Sequence, residues 1–97
     1  MSKKRIKFAI ALDRIQIIAS KILNIDVNLI QCESNLYKDL GFDSLKMSNF
    51  LKEIKEDNVL NCDLNNEAPI QFSFVRRVEE LLELIIEVKN GTRLLVV

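Results

Sequence analysis

Apolar residues recur every three or four positions through three segments of the chain. In the first, Phe8, Ala11, Leu12, Ile15, Ile18, Ala19 and Ile22 form a stripe. That spacing places them on one face and predicts an amphipathic helix. Ile10 and Ile17 lie off the stripe, to meet a neighbouring loop or stand as a modest exposed patch. The helix is expected to stop near 24–26, where Asn24 and Asp26 bracket Ile25. The second segment is expected to begin at Ser44 or Leu45 and run to about Asp57. Met47, Phe50, Leu51 and Ile54 are its buried stripe, and Lys46, Lys52, Glu53, Lys55 and Glu56 face water. A third helix is expected to open around Ser73. Its stripe is Val75, Val78, Leu81, Leu82, Ile85 and Val88, and Asn90-Gly91 is its stop signal.

Between the first two helices, residues 26–43 carry no sustained period. Val27, Leu29, Ile30, Leu36, Leu40 and Phe42 are expected to anchor this polar stretch to the core. So long an ordered loop in a small domain is uncommon and often functional. Residues 57–72 are also irregular, with room for one short helical turn. Two glycines and a single proline are too few for an all-β fold with frequent turns. Three long helices, one short one and one long loop bury their stripes only by packing together, so the expected fold is a small all-α, four-helix bundle.

At 97 residues the chain is expected to be one domain over 1–97, with its core at about 8–90. A basic arm, Ser2-Lys3-Lys4-Arg5 with Lys7, and an apolar tail, 94–97, fall outside that core. So short a chain has little room for a deep catalytic pocket, which favours binding or carrying over catalysis. Fourteen basic residues balance fourteen acidic ones, and a zero net charge argues against a binder held by nucleic-acid phosphates. There is no histidine, which excludes Cys-His or Ser-His nucleophiles and a Cys/His zinc site. Cys32 and Cys62 read as buried or half-buried hydrophobes of a reducing compartment. Asp57 and Asp63 do not start a calcium loop: the sixth position from Asp57 is Cys62, not glycine, and the twelfth from Asp63 is Phe74, not glutamate. Asp13 and Arg14 interrupt the apolar run 8–12 too early for a secretion signal, and no stretch approaches a membrane span. The protein is expected to be cytoplasmic and monomeric.

One stretch carries candidate chemistry: Leu40-Gly41-Phe42-Asp43-Ser44-Leu45. Gly41 takes positive φ at little cost, so the chain can turn sharply before the second helix. Asp43 is a good N-cap, which puts Ser44 in the first turn, where free N–H groups and the helix dipole stabilise a phosphate. Asp and Ser at helix starts are common for capping alone, so the flanking elements must decide.

With those elements in order, the chain resembles the acyl carrier protein family, whose modification motif is Asp-Ser-Leu, usually after Leu-Gly-x, at the start of the second helix. Residues 14–26 look like the family's first helix, 36–45 like the end of its long loop, and 72–85 like its closing helix. The resemblance implies a carrier with no catalytic activity of its own. A phosphopantetheinyl transferase would attach 4'-phosphopantetheine from coenzyme A to Ser44, and the arm would hold acyl groups for acyl-loading and synthase enzymes of fatty-acid, polyketide or related biosynthesis. Asp43, Leu45, Lys46 and Met47 would be partner contacts, with Asp39 a weaker one. One departure concerns charge. The second helix of fatty-acid carriers is strongly acidic, but here Lys46, Lys52 and Lys55 offset Glu53, Glu56 and Asp57. That points to a dedicated partner set, since complementary charge governs encounter and specificity. An aminoacyl or peptidyl carrier, or a carrier-shaped interaction module that is never modified, are the alternatives.

Overall fold

The computed structural model describes residues 6–91. Three long helices form the bundle: α1 (Phe8–Leu23), α2 (Ser44–Glu56) and α5 (Val78–Asn90). Two single turns, α3 (Leu64–Glu67) and α4 (Pro69–Phe72), together take the place of the one short helix expected from the pattern. They are separate because Ala68 leaves helical geometry at φ −152°, ψ 52°, and Pro69, with no N–H to give the preceding turn, opens a new one. The basic arm at 2–5 and the apolar tail at 94–97 lie outside the described residues.

The stripes meet as the periodicity requires. Ala11, Ile15, Ile18 and Ala19 of α1 pack in one core with Phe50 and Ile54 of α2 and Leu81, Leu82 and Ile85 of α5. The Cα radius of gyration, 12.7 Å, matches the roughly 13 Å expected of a compact chain of this length. Cys62 is buried and Cys32 half-buried, both as thiols.

Three expectations fail at the ends of the elements. Phe8 is exposed (42%), and buried Ile6 closes that end of the bundle instead, its N–H donating to Asn90 Oδ1 at 3.1 Å. Val27 and Leu29 are exposed rather than anchored. They lie on a 3₁₀ turn, Val27–Leu29, and the anchor is fully buried Ile30, whose carbonyl accepts from Gln16 Nε2 at 2.8 Å. The closing helix begins at Val78, not near Ser73. Residues 75–77 lie against the long loop: Leu36 N–H donates to Arg76 O (2.8 Å), and Asn35 and Arg77 form an antiparallel bridge. Cys32 and Ser34 carbonyls then accept from the first helical amides, Glu79 (2.8 Å) and Val78 (3.0 Å). Val75 is buried by this contact, and its three-residue spacing from Val78 imitates a helix that has not started.

The loop is therefore ordered, and so is the far end of α2. Asn35 Oδ1 accepts from the amides of Tyr37 (2.9 Å) and Lys38 (2.8 Å), and Asp39 Oδ2 accepts from Asn35 N–H at 2.8 Å. Arg14 clamps the far end of α2, with Nη2 2.5 Å from Asp57 Oδ1, while Asp57 Oδ2 accepts from the amides of Val59 and Leu60, each at 3.0 Å. Burial pushes the Asp57 carboxyl up, but the Arg14 guanidinium and the Leu60 and Val59 amides outweigh it and hold it below the usual carboxylate range.

Candidate functional site at the start of α2

Ser44 is the first residue of α2 and is exposed. Its position follows from its neighbours. Gly41 turns the chain at φ +82°, its N–H donating to Tyr37 O at 3.2 Å. Phe42 then drops into the core, its N–H on Leu36 O at 3.0 Å and its ring stacked on Phe50 with centroids 4.7 Å apart. Asp43 follows in extended conformation as N-cap: its Oδ1 accepts from Lys46 N–H and its carbonyl from Met47 N–H, both at 2.8 Å. Core packing, turn and cap together place the Ser44 hydroxyl at the surface.

Among the described residues, the Ser44 hydroxyl has no hydrogen-bond partner, and the Ser44 and Leu45 amides have no acceptor. Such amides, at the positive end of a helix, favour a phosphate oxygen. An open groove of about 580 Å³ runs beside the hydroxyl, lined by Tyr37, Asp43, Met47, Ser48, Leu51 and Asn65 together with Ser44. A serine with a free oxygen, unpaired amides and an adjoining trough fits a phosphodiester-linked chain.

The other sequence candidates divide. Leu45 is 72% exposed beside Ser44, and Lys46 is exposed with Nζ 3.9 Å from Asp43 Oδ2. Met47 is buried and forms part of the groove wall. Asp39 gives its carboxylate to the Asn35 amide, so its visible work is closing the loop turn. Asp57, counted among the acids of the second helix, is turned inward onto Arg14 with its side chain only 6% exposed. The exposed part of α2 after Asp43 thus holds Lys46, Lys52 and Lys55 against Glu53 and Glu56.

Tyr37, Leu51 and Asn65 line the groove without having been singled out for it. Ser48 was not singled out either, although its place four residues from Ser44 on the same helical face could have found it. Asn65 could not be found that way, because only the placement of α3 against α2 brings it there. Among the described residues, no helix is long and apolar enough to cross a membrane, and no three Cys, Asp or Glu side chains are placed to hold a metal.

A family model described as a phosphopantetheine attachment site matches residues 13–65, more than half of the chain. No curated protein matches it.

Proposed function

The chain belongs to the phosphopantetheine-attachment carrier family, whose members hold a covalently linked 4'-phosphopantetheine, and from that membership we propose that Ser44 is the attachment residue of an acyl carrier protein. The reading rests on one observation: the Ser44 hydroxyl is exposed and unpartnered at the first residue of α2, beside unpaired amides and an open groove. When bound, the group supplies a flexible arm whose terminal thiol carries acyl cargo as a thioester.

The chain's own residues hold the attachment point. Phe42 and Gly41 fix the turn, Asp43 caps the helix, and the free amides of Ser44 and Leu45 offset phosphate charge. In the transfer, Ser44 Oγ forms a new bond to phosphorus, the pyrophosphate bond of coenzyme A breaks, and its adenosine bisphosphate half leaves. The serine proton passes to a general base of the transferase. Leu45, Lys46 and Asp43 are the contacts offered to the transferase and to acyl-loading and synthase enzymes, with Met47 beneath them and Asp39 at the loop. The near-neutral α2 favours partners in fatty-acid, polyketide or related biosynthesis that do not depend on an acidic recognition helix. The whole chain, 1–97, acts as one cytoplasmic carrier domain.

Intact mass measured after incubation with coenzyme A and a promiscuous phosphopantetheinyl transferase tests the assignment. One phosphopantetheine added to the native chain and none to Ser44→Ala is the expected result. No gain with several transferases points instead to an unmodified interaction module.

A further inference from the structure

The groove beside Ser44 is not built by α2 alone. Asp43, Met47, Ser48 and Leu51 line it with Ser44, all from α2 and its cap, while Tyr37 comes from the long loop. Asn35 Oδ1 accepts from the Tyr37 amide at 2.9 Å, and the Tyr37 carbonyl accepts from Gly41 N–H at 3.2 Å. The turn that delivers Ser44 to the surface therefore also fixes the backbone of Tyr37.

A cation backs that tyrosine. Where Leu36 N–H meets Arg76 O at 2.8 Å, Leu36 and Val75 are buried, and Tyr37 and Arg76 are exposed beside them. The Arg76 guanidinium lies over the Tyr37 ring, 6.0 Å from its centroid. Its Nη1 donates to the carbonyls of Ser73 (2.9 Å) and Val75 (3.0 Å), which hold it there. Among the described residues, Arg76 makes no ion pair and the Tyr37 hydroxyl has no hydrogen-bond partner. A cation on the face of a phenol polarises it, and a polarised O–H makes a stronger hydrogen bond to an anion.

The charge around Ser44 gives such a donor a task. The Asp43 carboxylate lines the same groove, so a phosphodiester on Ser44 brings a second negative charge beside it. Lys46 Nζ already lies 3.9 Å from Asp43 Oδ2, and the α2 amides face the phosphate from the helix side only. Tyr37 and Arg76 supply a donor and a cation from the loop side. We propose that Tyr37 binds the phosphodiester carried by Ser44, its hydroxyl donating to a phosphate oxygen, with Arg76 as the positioning residue that holds the ring. The proposal rests on the reading of Ser44 above. The contact is to phosphate alone, so it is indifferent to the cargo and to the course of the arm.

Tyr37 is the only tyrosine of the chain, so its ring signals in NMR are unambiguous. The test modifies the full chain with coenzyme A and a promiscuous phosphopantetheinyl transferase, and intact mass first reports loading. If no mass is added, the Ser44 reading falls and takes this proposal with it. With loading established, the Tyr37 ring signals are expected to shift between the unmodified and the loaded chain. The single phosphorus resonance of the loaded chain is expected to lie apart from its position in the same chain unfolded in urea. Tyr37→Phe keeps the ring under Arg76 and removes only the hydroxyl, so a merely structural role would leave that resonance in place. The expected result is a shift toward the unfolded position, and Arg76→Ala should move the resonance in the same direction. A phosphorus resonance unmoved by Tyr37→Phe, or Tyr37 ring signals that coincide in the two forms, would overturn the contact while leaving Ser44 as the attachment residue. A resonance moved by Tyr37→Phe but not by Arg76→Ala would overturn the role given to Arg76.

Discussion

The Phe42 ring stacks on Phe50 with centroids 4.7 Å apart and planes 23° from parallel, which ties the last residues of the long loop to the middle of α2. Phe42 is 5% exposed and Phe50 fully buried, so the stack belongs to the core although half of it comes from a loop. Phe42→Ala should cost about 3–5 kcal/mol, the usual range for emptying a buried aromatic site. Phe42→Leu should cost clearly less because it refills most of the volume. Urea midpoints of the two variants check this; similar midpoints would mean that the stack contributes nothing beyond what any side chain does there.

The Arg14–Asp57 clamp sets a pH dependence. The folded carboxyl titrates below its ordinary value of about 3.9, so the clamp's contribution is complete above that value and fades as pH falls through the folded value. Asp57→Asn should lose about 2 kcal/mol at pH 7, as expected for hydrogen bonds to a charged group. It should also flatten the stability profile below about pH 4 relative to the native chain. Unfolding free energies across pH 2.5–7 read this out; parallel profiles for the two proteins would contradict it.

Gly41 adopts φ +82°, and a Cβ built there would meet nothing within 4 Å. The penalty for a side chain is therefore conformational rather than steric. Gly41→Ala should destabilise by about 1 kcal/mol, and Gly41→Asn by less, since Asn tolerates the left-handed region better. The order of the two thermal midpoints decides the matter.

At the candidate site, capping and ion pairing separate cleanly. Asp43→Ala removes the acceptor of the Lys46 amide and should cost about 1 kcal/mol. Lys46→Ala removes only an exposed 3.9 Å pair and should change stability by less than about 0.5 kcal/mol. A Lys46→Ala loss as large as that of Asp43→Ala would show that the side-chain pair, not the cap, holds the helix start.

Burial, with Glu33 and Glu79 nearby, raises the titration of the Cys32 thiol. Its alkylation by a small maleimide should be slower than that of free cysteine at neutral pH, with a rate profile shifted to higher pH, because the thiolate is the reacting form. A profile at or below that of free cysteine would refute the assignment.

Much of the bundle is legible in the chain's periodicity. The stripe Met47, Phe50, Leu51 and Ile54 is buried as its spacing demands, and Asp43 caps a helix that starts at Ser44. Local chemistry suffices there, since a cap bonds to amides three residues away and a helix face is set by its own turn. The candidate serine stood out for the same reason: glycine, cap and helix start are all short-range signals. What local patterning left open depended on contacts between distant segments. Val75 continues the spacing of the closing helix, yet that helix waits until Val78 because residues 32–36 of the long loop supply its first acceptors. Asp57 reads as one more surface acid of α2, but Arg14, forty-three positions earlier, turns it inward. Asn65 has no distinguishing neighbour in sequence and becomes part of the groove only because α3 packs beside α2. The sequence by itself determined the three long helices, most of their buried faces and the position of Ser44 at the start of the second, because those follow from spacing and backbone chemistry within a few residues. Only the tertiary structure decided the groove's lining, the start of the last helix and the inward turn of Asp57, because each joins groups far apart along the chain.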